Sequence, residues 1–179
     1  MKRENASSAD NQQGRAQVNL DPWYVSGFVD GEGSFHIAIY RDARMKTSWK
    51  VIPEFHVSQR ETSKQVLYEL VDFFACGYVK ENHRTNPRDV TWVYVVRDRT
   101  DLTTKIMTFF SQYQLRTEKR NDFDKFAQIV SLMNQGAHLT NEGLAVIIDI
   151  AYTMNGGGRY RKRLRSDLRM QPSETICRT

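Results

Sequence analysis

The sequence predicts an α+β fold with elements in the order αββαββα. Two strand pairs form one four-stranded antiparallel sheet, helices cover one of its faces, and further helices follow toward the C-terminus. Three observations carry this reading. A strong helix start stands at Asp21-Pro22, two separate segments alternate apolar and polar residues, and a run of helical spacing follows each of them. Length fits the same picture, since 179 residues suffice for one domain with a sizeable core.

The elements follow in order. Asp21 is a good N-cap and proline is preferred in the first helical turn, so helix one runs from Pro22 through Val29 and breaks at Gly31 and Gly33. Phe35, Ile37 and Ile39 then alternate with Ser34, His36, Ala38 and Tyr40 as a half-buried strand. A basic turn, Arg41 to Ser48, leads to a second strand with Val51, Phe55 and Val57 inward and Lys50, Glu54 and His56 outward. Pro53 interrupts this strand and asks for a sheet edge or a bulge. Helix two follows Glu61, with Val66, Leu67, Leu70, Val71 and Phe74 at helical spacing. Gly77 to Asn82 and Val90 to Arg97 form the second strand pair, turning near Asn86-Pro87, and helix three starts at Asp101. Two more helices are expected, Glu118 to Met133 and Thr140 to Met154. Residues 1–20 read as a polar, disordered leader, 21–155 as the domain, and 156–179 as a basic tail released by three glycines.

Composition excludes several classes. No apolar stretch approaches the roughly 20 residues that cross a bilayer, and the N-terminal segment lacks the apolar run of a signal peptide, so neither a membrane nor secretion is expected. Cys76 and Cys177 form no CxxC pair and the four histidines show no metal-ligand spacing, which argues against a disulfide scaffold or a zinc module. The expected setting is a reducing cytoplasm or organelle interior. The net charge of +5 is unevenly placed, because residues 155–179 hold seven Lys/Arg against two acids. Within the domain, cations collect in the strand pairs: Arg41, Arg44, Lys46 and Lys50 in the first, Lys80, Arg84, Arg88, Arg97 and Arg99 in the second. A sheet so charged suits a phosphate backbone, and the tail is placed to reach flanking phosphates.

The segment with most chemistry is Val25-Ser26-Gly27-Phe28-Val29-Asp30-Gly31-Glu32-Gly33-Ser34-Phe35. Small residues at Ser26 and Gly27 let another helix approach until the backbones nearly touch. The helix then ends and projects Glu32 from a glycine-flanked turn. Two such helices about a two-fold axis would bring two Glu32 carboxylates together, hard oxygen ligands able to hold Mg²⁺ between two phosphates.

This segment resembles the LAGLIDADG signature over its whole length. Phe55-His56-Val57-Ser58-Gln59 is similar to the family stretch that supplies an active-site glutamine. Leu115 to Phe123 is similar to the basic stretch entering the helix after the core. The resemblance covers roughly Pro22 to Phe126 and implies a homing endonuclease of the single-motif type. Such a protein is intron-encoded and works as a homodimer, with Mg²⁺ or another divalent cation, Ca²⁺ or Mn²⁺ among them. It cuts both strands of a long, near-palindromic DNA site. Carried over, Glu32 is the metal-binding acid, the Gly31 carbonyl a further ligand, Gln59 the residue ordering the attacking water, and Lys119 the group polarising the phosphate. Arg116 or Lys64 remain alternatives for that basic role. Ser26, Gly27 and Asp30 fall at the dimer interface, Asp30 also tying the helix end.

Strand parity selects the DNA-reading residues. Ser34, His36, Tyr40, Lys50, His56, Lys80 and Asn82 are expected to face the major groove, with Arg41, Arg44 and Arg84 in turns suited to phosphates. Two rival readings stay open, a non-cleaving DNA-binding regulator of the same fold and an RNA intron maturase. The paired signals at Glu32 and Gln59 favour the nuclease.

Overall fold

In the computed structural model, which describes residues 20–82 and 90–157, the first helix starts where its cap dictates. The Asp21 carboxylate accepts the Trp23 and Tyr24 N–H groups at 2.9 and 3.0 Å, and α1 spans Pro22–Glu32. The expected break at Gly31 does not occur. Helical hydrogen bonding continues through Glu32 and ends at Gly33, whose N–H donates to the Val29 carbonyl. A Cβ at Gly33 would lie 2.7 Å from that carbonyl oxygen, so glycine is what lets the chain turn directly from helix into strand.

Four strands follow: β1 (Gly33–Arg41), β2 (Trp49–Arg60), β3 (Tyr78–Glu81) and β4 (Thr91–Val96). They form one antiparallel sheet in the order β1-β2-β4-β3. β2 is therefore central, although it contains Pro53. The register explains this: Pro53 opposes Ile37 of β1, whereas pairing with β4 begins only at Phe55. Proline sits where β2 has a neighbour on one side only, which meets its need for a local edge.

The other helices are α2 (Gln65–Phe74), a composite α3 (Arg99–Asp101, Leu102–Met107 and Thr108–Gln112), α4 (Lys119–Asn134) and α5 (Asn141–Tyr152). α3 begins two residues before the expected Asp101, because Asp98 caps it by accepting the Asp101 N–H at 3.0 Å. Its middle stretch has wide π-type turns, and Leu102, Ile106 and Phe110, four residues apart, are all buried. Thr140 caps α5 by accepting the Gly143 N–H. Among the described residues no helix is long and apolar enough to cross a membrane.

Helices and sheet meet around Phe35, which is fully buried. Its ring lies 5.2 Å from Phe55 in a stacked pair and 5.6, 5.2 and 5.4 Å from Phe110, Phe123 and Phe126. β1, β2, α3 and α4 thus converge on one side chain. Near the end of the described chain, the Asn155 amide donates to the Phe35 carbonyl at 3.0 Å. Phe35→Ala should cost about 3–5 kcal/mol of unfolding free energy, read from urea denaturation. A loss below about 1 kcal/mol would show that the cluster closes over the cavity and that its packing is not limiting.

Candidate active site and nucleic-acid interface

An α-helix leaves its last carbonyls without helical partners and carries partial negative charge there, so its C-terminus attracts cations. α1 adds to that effect by ending in Glu32, which is exposed, as is Gly31. The Lys119 ammonium answers it, donating to the Val29 and Gly31 carbonyls at 3.1 Å each. Burial lowers the Lys119 pKa, against the opposing pull of Asp30, Glu32 and Asp122.

Asp30 holds this corner to the rest of the chain. Its carboxylate accepts the Arg116 N–H at 2.8 Å, the Thr117 N–H at 3.1 Å and the Thr117 hydroxyl at 2.7 Å. Burial pushes its pKa up, but the Thr117 hydroxyl, the two N–H donors and Lys119 outweigh that and hold the carboxyl below its ordinary value. Asp30 therefore caps the segment leading into α4, and so fixes where α4 delivers Lys119. The two alternative cations are engaged elsewhere. Arg116 lies 6.0 Å over the Trp23 ring, while Lys64 lies 4.2 Å over Trp92 and pairs with Glu61 at 3.2 Å.

Gln59 is brought toward the same end by register. Gly33, next after Glu32, opposes Val57, and Gln59 follows two residues on along β2. It is half-buried and shares the inward parity of Val57, away from the outward row of His56 and Ser58.

The donors at the α1 end are hard oxygens, which fits Mg²⁺ or Ca²⁺. Among the described residues, no group of three or more His, Cys, Asp or Glu side chains is placed to hold a metal. At this end of α1 the chain offers Glu32 and the Gly31 carbonyl. The side of α1 beside them is smooth and uncovered. A Cβ on Gly27 or Gly31 would meet nothing within 4 Å, and Trp23 and Tyr24 are half exposed beside them. Gly27 and Gly31, one turn apart, form the smooth stripe. Ser26, expected on that stripe, is instead 3% exposed and donates to the Tyr113 carbonyl at 3.0 Å within its own chain. Adjacent helical residues point about 100° apart, so Ser26 and Gly27 cannot share one contact line. Asp30, the third residue expected there, is hydrogen-bonded to Arg116 and Thr117 of its own chain.

On the sheet's outward face, Ser34, His36 and Tyr40 of β1 lie in one row, Lys50 and His56 of β2 in the next, and Lys80 leads to Asn82 beyond β3. Arg41 stacks over Trp49 at 5.2 Å, and Arg44 pairs with Asp42 at 2.8 Å. Arg84 lies outside the described residues. Sequence reasoning missed the centre of this face, where Glu54, only 7% exposed, forms an ion pair with Arg97 and lies 2.9 Å from the His56 ring nitrogen. The His56 contact is close without being an aligned hydrogen bond. Burial keeps the His56 pKa below the ordinary imidazole value, against the upward pull of Glu54. The alternation that put Glu54 outward was visible in the sequence. Its partner Arg97 was not, since that needs the register of β2 on β4.

The chain thus joins an αββαββα unit to a polar, cation-bearing sheet face and an acid at the end of its first helix. Residues 25–130 match the model of the LAGLIDADG endonuclease family, and the chain belongs to that family. It is 36% identical over 140 residues to "Probable intron-encoded endonuclease 3" of Neurospora crassa, a match covering 78% of this chain and 26% of that protein. The chain thus spans about a quarter of that relative's length. Among solved structures, the homing endonuclease I-TnaI superposes with a TM-score of 0.76 at 42% identity, over 83% of this chain and 98% of that one. I-SmaMI, bound to an uncleaved DNA target in the presence of calcium ions, superposes with a TM-score of 0.77 at 30% identity. That match covers 89% of this chain and 53% of the other.

Asp30→Ala would leave two N–H groups and a hydroxyl without their acceptor, and should lower stability by about 1–2 kcal/mol, as loss of a helix cap does. Thermal unfolding measures this, and a shift within error would mean that water replaces the carboxylate without cost.

Proposed function

We propose that this protein is a site-specific double-strand DNA endonuclease, a homing endonuclease that hydrolyses phosphodiester bonds with Mg²⁺ at a long, near-palindromic site. The observation that carries the reading is the convergence of Glu32, the Gly31 carbonyl and Lys119 at the end of α1, beside an open stripe of Gly27 and Gly31. The named activities of the relatives support it, as does the DNA-bound state of I-SmaMI.

Hydrolysis needs a nucleophilic water, positive charge at the phosphorus and a stabilised leaving oxygen. A divalent ion, when bound, supplies a Lewis acid and lowers the pKa of a water. Glu32 and the Gly31 carbonyl would hold it, with Mn²⁺ an alternative to Mg²⁺ and Ca²⁺ suited to a complex that binds without cutting. Gln59 orients the attacking water. Lys119 places its ammonium against charge building on the phosphate. A second motif helix packs on the Gly27–Gly31 stripe and brings its own Glu32, so we read the working form as a homodimer. DNA is read by the outward sheet residues, with the basic tail adding phosphate contacts in a cytoplasm or organelle interior.

Glu32→Gln should reduce cleavage at least about a hundredfold, because several kcal/mol of transition-state stabilisation depend on the metal. Binding of the same site in Ca²⁺ should persist. Cutting at the wild-type rate would remove Glu32 from the mechanism, and the absence of metal-dependent cutting on any DNA library by the wild type would remove the nuclease reading. Gly27→Leu fills space that is open in the single chain, so the variant should fold, sediment as a monomer and lose cleavage. An active monomer would overturn the pairing.

A further inference from the structure

We infer that Arg97 is a specificity-determining residue, aimed by Glu54 at a guanine in the major groove a few base pairs from the cut. The inference rests on the endonuclease reading above and adds a residue and a base to it.

Glu54 is the anomaly that leads there. It lies on the outward side of the sheet, in the same row as His56 and Ser58, yet it is 7% exposed. An acid on a face turned to phosphates is unfavourable, and a buried one must be paired. Its pairing is with Arg97, whose Nε meets Glu54 Oε1, while Oε2 lies beside His56 Nε2. Glu54 is thus spent on neighbours, and on this face its effect is to hold Arg97.

Arg97 has the complementary properties. β4 ends at Val96, which opposes Phe55, so Arg97 comes opposite Glu54 and continues the outward row of Val93 and Val95. Its side chain remains 44% exposed although Nε is engaged. A guanidinium held through Nε keeps its terminal fork of donors, and the carboxylate has already fixed the rotamers that free arginine would lose on binding. That fork matches guanine O6 and N7, a pairing no other base offers in the major groove.

Position separates base reading from phosphate contact. β2 and β4 are the two central strands, so the pair, where β4 ends across from β2, lies away from the two edge strands of the sheet. Glu54 opposes His36, three residues along β1 from Gly33 at the active end. At about 3.4 Å per residue that is roughly 10 Å. The distance equals about three base pairs along the duplex axis.

The test is selection of the full-length protein on randomised duplexes in Ca²⁺, with base preference read at every position. Wild type should prefer guanine at one position in each half-site, by about ten- to a hundredfold. Arg97→Ala should lose that preference alone. Arg97→Lys, which keeps the charge, should not restore it. Glu54→Leu should relax the same position, whereas Glu54→Gln, which retains an acceptor for Nε, should keep most of the preference. Glu54→Leu should add nothing there in an Arg97→Ala background. Should Arg97→Ala not fold, the lysine and Glu54 variants carry the same comparison. An even loss of affinity over all sequences with a flatter salt dependence would make Arg97 a phosphate anchor and overturn the inference, as would an unchanged profile. Failure of the wild type to enrich any sequence would instead overturn the endonuclease reading, and this one with it.

Discussion

The structure depends on an electrostatic conflict at the end of α1. A helix C-terminus carries partial negative charge, and a carboxylate in its last turn is worth roughly 0.3–1 kcal/mol in the wrong direction. α1 has Glu32 in that position and no basic residue in its last turn. The chain stabilises the corner from outside, with Lys119 on two of the last carbonyls and Asp30 tied to Arg116 and Thr117. Those ties also fix α4, whose Phe123 and Phe126 pack on Phe35 at the start of β1. The acid and the core are therefore held by one set of contacts. A helix end that its own chain only partly neutralises is a place where a further cation is stabilised.

The sheet divides the molecule's tasks by parity. Inward residues such as Phe35, Phe55 and Tyr94 meet helices, whereas outward residues are mostly polar and half-buried or exposed, with Glu54, Val93 and Val95 the buried exceptions. A one-residue slip between β1 and β2 would exchange the two sets, so the burial of Phe35 and Phe55 enforces the position of His36 and His56. The apolar core thereby fixes which side chains face DNA in the proposed complex.

Much of this was legible because it is local. Asp21-Pro22 fixes a helix start by capping chemistry, and alternation through Phe35, Ile37, Val51, Phe55 and Val57 fixes two strands and their inward faces. What was missed depends on three dimensions. Ser26 and Gly27 are adjacent small residues in the sequence, but the helix turns one inward and the other outward. Lys119 was named for the basic role with Arg116 and Lys64 left open beside it, and only the fold shows that Lys119 meets the α1 end while the others lie over aromatic rings. The π-type turns of α3 leave no mark in the sequence, because Leu102, Ile106 and Phe110 fall at ordinary helical spacing. Arg97 read as one cation among several until the register set it against Glu54.

Under the proposed function a single unit of this fold is incomplete, and the incompleteness is specific. Glu32 is one carboxylate where the proposed divalent ion would need further oxygen ligands, and α1 leaves Gly27 and Gly31 uncovered beside it. Both deficits would have the same remedy, because a second such helix lying on the glycine stripe would bring its own terminal acid close to Glu32. That requirement concerns how closely two helices approach, and it is indifferent to whether the second belongs to another copy or to a further stretch of one polypeptide. The glycines matter through what they lack: any Cβ at Gly27 or Gly31 is sterically free in the single unit and becomes an obstacle only once two helices meet. A substitution there should therefore spare the fold and act on the pairing, which separates this stripe from Ser26, whose hydroxyl belongs to the fold itself.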